Sequence, residues 1–178
     1  NDFEIIAQYK VGFGNTIYQG ANRYALKNFL MQQGRIEVKN RNFFVRAYVT
    51  DEDAGDSYDM RFAAWNVNQA WKTNTQWFTD YGTAYQLSSA VLGFDATQAS
   101  AYARNFADYN LSPGLPLAPT GGGQPRFMPG TAQFNNALAI VAANPDFTQG
   151  AKFKDQSRIY HSDVNYNFKE LIKFAEIM

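Results

Sequence analysis

The stretch from Asn40 to Trp77 constrains the fold of this chain more than any other part, because its hydrophobic period changes midway. Phe43, Val45, Ala47 and Val49 alternate with Phe44, Arg46, Tyr48 and Thr50, the period-two pattern of a strand with one apolar face. Met60, Ala63, Ala64, Val67, Ala70 and Trp71 then recur at helical spacing. Between them lies an acidic run with a glycine: Asp51, Glu52, Asp53, Gly55, Asp56 and Asp59. An aromatic strand thus leads through an acidic turn into a Trp-rich helix.

The same contrast divides the whole chain into three blocks. The first, 1–58, reads as strands. Phe3, Ile5, Ala7, Tyr9 and Val11 share one face of a first strand, and the glycines at 12 and 14 with Asn15 read as a turn. A hairpin follows: Leu30, Ile36 and Val38 oppose Gln33, Arg35, Glu37 and Lys39, the polar turn is 39–42, and the strand beginning at Phe43 returns. The second block, 59–155, is helical in period. After the helix ending near Trp71, a second carries Trp77, Tyr81, Ala84, Tyr85 and Leu87. A third is capped by Asp95 or Thr97 and carries Tyr102, Phe106 and Tyr109 on its apolar face. The segment 112–130, which contains SPGLPLAPTGGGQP, is a Pro/Gly connector without regular structure. Thr131 caps a last helix that ends before Pro145. In the third block, 156–178, Tyr160, Ser162, Val164, Tyr166 and Phe168 alternate with His161, Asp163, Asn165 and Asn167, and a tight turn at 167–170 leads into a final arm.

Composition narrows the class. Sixteen Lys and Arg balance sixteen Asp and Glu, so no electrostatic footprint for nucleic acid exists. With no cysteine, disulfides, thiolate nucleophiles and most zinc sites are excluded. Charged residues are 18% of the chain, below the roughly 25% of ordinary domains. Aromatics are 16%. Few charges with many Tyr, Phe and neutral amides fit a transmembrane barrel with a polar lumen; they equally fit a carbohydrate-binding β protein or an aromatic-rich soluble domain. No apolar run approaches the ~20 residues of a membrane helix, and 137–143 is far too short. The chain opens on Asn1, Asp2, Phe3 and Glu4 with no leader pattern and stops in mid-pattern near Met178, so both ends read as interiors of something larger.

No catalytic constellation survives inspection, and the chain reads as a non-enzyme without a cofactor. His161, the single histidine, has no Gly-x-Ser-x-Gly nucleophile in the sequence to serve. The acidic run starts like a calcium loop at Asp51, Asp53 and Gly55, but Phe62 stands where the bidentate Glu belongs, so a solvated acidic loop is the better reading. Gly121 and Gly123 lack the Lys-Ser or Lys-Thr of a phosphate cradle. The aromatic group Trp65, Trp71, Trp77, Tyr81 and Tyr85 either packs the helices together or offers ligand a stacking surface. From it, Trp71, Trp77 and Tyr81 are the candidate ligand-binding residues.

The run NFFVRAYVTDEDAGDSY (42–58) resembles a barrel segment of Bacteroidetes TonB-dependent outer-membrane receptors, as does NQAWK (68–72) followed by QWF (76–78). YQGANRYALKNF (18–29) is similar to the preceding strand and loop of that family. IYH (159–161), YNF (166–168) and IKF (172–174) are similar to its next hairpin. The resemblance implies a mainly antiparallel β segment of a transmembrane β-barrel in the bacterial outer membrane, carrying a large α-helical extracellular loop insertion. It implies energy-coupled nutrient uptake by a parent receptor of which this chain is a middle fragment. The implied partners are the lipid bilayer, the remainder of the receptor chain with its plug and other strands, TonB through that parent, a surface lipoprotein, and a small-molecule, sugar or peptide ligand. The alternative is a soluble secreted carbohydrate-binding module whose Trp and Tyr stack on sugar.

Overall fold

The structure, a computed structural model, describes residues 3–121 and 123–170. It divides into two compact units, one formed by residues up to Tyr58 and from Phe153, the other by Asp59–Lys152. The arm expected after 170, with its IKF match, lies outside the described residues.

The first unit is an antiparallel sheet. Its long strands are β1 (Glu4–Gln19), β2 (Arg23–Lys39), β3 (Phe43–Asp53) and β5 (Gln156–Tyr166), in the order β1-β2-β3-β5. A two-residue strand, β4 (Tyr58–Asp59), pairs with β2. The register lines up the alternating faces. Ile5, Val38, Val45 and Val164 form one cross-strand row, Ala7, Ile36, Ala47 and Ser162 the next, and Tyr9, Gly34, Val49 and Tyr160 the one after. Phe43 pairs with Tyr166 at one end of this band, and Phe3 lies beside Phe43 at 6.0 Å between ring centres.

The opposite face is polar, with its charges arranged as a ladder. Arg46 donates to Asp163 through Nε at 3.0 Å and a terminal nitrogen at 2.8 Å. Arg35 pairs with Glu37, Lys39 with Glu4 at 3.3 Å, and His161 with Asp163 at 3.3 Å. Tyr48 stacks on His161 at 4.8 Å, and Gln33 donates to Thr50 at 3.1 Å. Among the described residues the sheet is not closed: β1 and β5 are its outer strands.

Two turns differ from the sequence expectation. Gly12 and Gly14 do not end the first strand; they pair with Met31 and Phe29, and β1 runs on to Gln19. The irregularity there is a bulge between Gly14 and Thr16, where Asn28 takes φ +53° and its N–H donates to Asn15 Oδ1 at 2.7 Å. A bulge absorbs an extra residue and disrupts the ladder only locally, so the chain reverses only after Gln19. Likewise the acidic run is not all turn. β3 continues through Asp53, because Asp51 pairs with Arg158 and Asp53 accepts from Gln156 at 3.0 Å on the neighbouring strand. The turn falls at Gly55, whose φ of +60° and whose open Cα side are both required: a Cβ there would lie 2.4 Å from the Asn28 carbonyl oxygen.

The second unit is helical: α1 (Met60–Trp71), α2 (Asn74–Leu92), α3 (Ala96–Tyr109) and α4 (Ala132–Ala143). Each start is set by a local cap. Asp59 accepts from the N–H groups of Arg61 and Phe62, and Thr131 from Phe134. Thr73 with Gln76 and Asp95 with Gln98 form complete capping boxes. α2 and α3 end on left-handed residues, Gly93 and Asn110. The core between α2 and α3 is Ala84, Tyr102, Ala103, Phe106 and Leu115, with Phe94 edge-on to Tyr102 at 5.8 Å. Burial pushes the Tyr102 phenol above its ordinary pKa, and its hydroxyl donates to the Pro113 carbonyl at 3.2 Å. α1 packs on α4 through Ala63, Val67, Ala137 and Val141. Asn66, buried on α1, donates to the carbonyls of Gly150 at 2.8 Å and Phe147 at 3.2 Å.

Candidate functional site

The connector after α3 is irregular but not loose, and what ties it down also builds a site. Lys72 closes α1 and Asp80 sits in the second turn of α2; both side chains are essentially fully buried. Lys72 Nζ donates to Asp80 Oδ2 at 2.8 Å, to the Ala107 carbonyl at 3.1 Å and to Asn110 Oδ1 at 3.0 Å. Its three protons are therefore satisfied. Asp80 Oδ1 accepts from the Thr120 backbone N–H at 2.9 Å, and Thr120 Oγ1 donates to the Gln76 carbonyl at 3.2 Å. The connector passes so close that a Cβ on Gly121 would lie 2.9 Å from Lys72 Cε. The Gln124 carbonyl then accepts from Trp71 Nε1 at 2.9 Å and from Asn110 at 3.0 Å. Gly121 is thus no loose tip of the connector: its missing side chain makes room for a buried lysine.

Beside this ion pair lies a cleft of about 250 Å³ lined by Asn68, Trp71, Lys72, Asn74, Trp77, Phe78, Arg104, Asp108 and Arg126. Two of the three residues picked from the sequence, Trp71 and Trp77, meet there. Both are half-buried and held in place. Lys72 Nζ lies 4.8 Å from the Trp71 ring centre. Trp77 Nε1 donates to Asp108 Oδ1 at 2.8 Å, and the Arg104 guanidinium lies 5.3 Å from the Trp77 ring centre. Tyr81, the third, is outside the lining. It stacks on Trp77 at 5.4 Å and 14°, and its hydroxyl shares a hydrogen bond with Ser100 at 2.9 Å. Its role is to back the Trp77 wall.

The cleft's polar groups were not anticipated. Arg104 and Asp108 pair at 2.8 Å with the i,i+4 spacing of one helix face, a signal that was available in the sequence. Arg126 and Asn68, which bond at 3.2 Å, are 58 residues apart and carried no such signal. The acidic run lines a separate hollow of about 430 Å³ with Gln156 and Arg158. Of its carboxylates, Asp51 is engaged by Arg158, Asp53 by Gln156 and the Gly55 N–H, Asp56 by Asn28, and Asp59 by the start of α1. Among the described residues, no group of three His, Cys, Asp or Glu could hold a metal ion. On the sheet, an open apolar hollow of about 770 Å³ lies over Gly34, Ile36 and Val49 between Tyr9 and Tyr160.

No known family, curated protein or solved structure matches this chain.

Proposed function

We propose that this chain is a segment of the barrel wall of a TonB-dependent outer-membrane receptor, carrying a helical extracellular insertion. The observation that carries the reading is the two-sided sheet. Ile5, Tyr9, Tyr160 and Val164 on the apolar face are each more than 60% exposed, while the opposite face is laced with ion pairs. Water disfavours such an apolar face by about 25 cal/mol per Å², whereas lipid does not. A barrel strand needs ~9–11 residues to cross, and β3 and β5 have 11 each. Aromatics bracket the aliphatic rows, Phe3, Phe43 and Tyr166 at one end and Tyr9 and Tyr160 at the other, as interfacial girdles do.

Open sheets do not cross bilayers, because their edge N–H and C=O groups find no partners in hydrocarbon. The outer edges of β1 and β5 are therefore where the remaining strands of the receptor pair. Asp53 pairs with Gln156, so β3 leaves and β5 returns at the same end of the sheet. The short turn at the other end, between Lys39 and Phe43, fits the periplasmic side, and the helical unit then lies outside the cell. In nutrient uptake this segment contributes wall, and its helices contribute ligand contact.

This chain has no cysteine of its own, so single cysteines introduced into it allow a test by spin labelling of the parent receptor in bilayers, with any cysteine elsewhere in that receptor replaced. Labels at Val45→Cys and Val164→Cys are expected to collide with oxygen, which concentrates in lipid. Labels at Tyr48→Cys and Asp163→Cys are expected to meet a water-soluble nickel complex. Uniform nickel accessibility on both faces refutes the membrane reading. So does a monodisperse, cooperatively unfolding monomer of the chain in plain buffer, an outcome that would favour the soluble binding module instead.

A further inference from the structure

The helical unit's cleft has a charge that its own residues do not answer. Asp108 is engaged twice, by the Trp77 indole N–H and by Arg104. Lys72 is sealed from solvent against Asp80. Arg126 remains: its guanidinium bonds the neutral Asn68 Oδ1 at 3.2 Å, and it has no carboxylate partner among the described residues. A lone guanidinium at the rim of a partly enclosed cleft is a ready partner for a carboxylate, which it can grip with two parallel N–H bonds. The apolar part of the cleft is equally specific. Trp71 and Trp77 are pinned by their own hydrogen bonds, whereas Phe78 is 67% exposed and its one ring contact among the described residues is a T-shaped one with Trp77 at 5.1 Å. Most of its ring is open to a flat or ring-shaped partner. The volume of about 250 Å³ lies below the roughly 300–1,000 Å³ of sites for drug-sized ligands, which limits the occupant to about one ring.

We propose that this cleft binds the carboxylate of a single-ring ligand, with Arg126 holding the acid and Phe78 packing on the ring. Sugar acids and aromatic acids share this chemistry. The site rests on the geometry of the helical unit and not on where the sheet lies, so the two proposals fail separately.

The test is a tryptophan-fluorescence titration of the full chain in detergent micelles, since Trp71 and Trp77 line the cleft. The probes are galacturonate against galactose and benzoate against benzyl alcohol. At least one acid is expected to bind at least fivefold more tightly than its neutral counterpart, and the pair that discriminates identifies the source. Arg126→Gln is expected to abolish that preference while leaving the neutral ligand unchanged. Phe78→Ala is expected to weaken both members of the pair. Arg61→Gln, an exposed charge change on α1 outside the cleft, is expected to change nothing. Failure of both acids to bind, a preference below fivefold, or a preference that survives Arg126→Gln overturns the proposal.

Discussion

Replacing Lys72 by Met keeps the length of the side chain and removes its charge, at the point where α1, α2, α3 and the connector converge. The ammonium is fully buried and makes three hydrogen bonds, to Asp80, Ala107 and Asn110. Without it, the Asp80 carboxylate is left in the interior with one partner, the Thr120 N–H. Breaking a buried pair by deleting one member typically costs about 3–5 kcal/mol, most of it the uncompensated charge that remains. Deleting both charges, in Lys72→Met with Asp80→Leu, removes that term and is expected to be milder than the single change, although the Thr120 N–H and the Ala107 carbonyl then lose partners. Urea unfolding followed by tryptophan fluorescence measures this cleanly. All three tryptophans, Trp65, Trp71 and Trp77, lie in the helical unit, so the signal reports that unit alone. With a urea slope of about 2 kcal/mol per M, a loss of about 4 kcal/mol lowers the midpoint by about 2 M. A midpoint shift for Lys72→Met of less than about 0.5 M, or a double variant less stable than the single, refutes the view that this ion pair anchors the unit.

Further outcomes follow from other named contacts. On the proposed membrane reading, Val45→Arg in the parent receptor is expected to cost ~2–4 kcal/mol and Tyr48→Arg much less, because Tyr48 stands on the face that carries Arg46 and Asp163; equal costs in a folding assay mean the faces are misassigned. Gly55→Ala forces a Cβ against the Asn28 carbonyl at a positive φ, so a loss of about 1–3 kcal/mol is expected, read as a lower unfolding midpoint. Proteinase K is expected to spare residues 112–121, held at Pro113, Leu115 and Thr120, and to cut there once Lys72→Met loosens them; native cleavage within that span, detected by N-terminal sequencing, contradicts the anchoring. The Asp146 carboxyl is held below its ordinary pKa by the Thr148 hydroxyl and backbone N–H. Its contribution is therefore present above the unfolded value and lost as pH falls through the lowered folded one. Thr148→Val is expected to raise the Asp146 midpoint in an NMR titration.

The parts of this fold that were legible in the sequence are those whose cause is local. Helix caps act over three residues, so Asp95 and Thr131 could be read directly. Alternation acts over two, so the two faces of β3 could be read from Phe43 to Thr50. The errors arise where a distant partner decides. Gly12 and Gly14 look like a turn until Met31 and Phe29 are known to pair with them. Asp51 looks like a solvated loop residue until Arg158, 107 positions away, is placed opposite it. The connector reads as lacking regular structure on composition alone. Pro and Gly exclude helix and strand, but they do not exclude hydrogen bonds from side chains elsewhere, and those bonds hold it at Thr120 and Gln124.

The candidate site divides along the same line. An aromatic can be counted in a sequence, but which of its faces is already occupied cannot. Tyr81 reads as a contact in the sequence, yet its ring lies on Trp77 and its hydroxyl on Ser100. Phe78, beside Trp77 in the chain, has the more open ring, and nothing in the sequence sets it apart. The charges behave in the same way. A net charge of zero suggests a chain whose ions are all answered. In three dimensions most of those near the site are: Lys72 by Asp80, and Arg104 by Asp108. Once these pairs are set aside, Arg126 stands out, because its guanidinium is met in the cleft by a neutral amide and not by a carboxylate. The cleft's selectivity thus rests on what its ion pairs leave over, which total charge conceals and only the placement of each partner reveals.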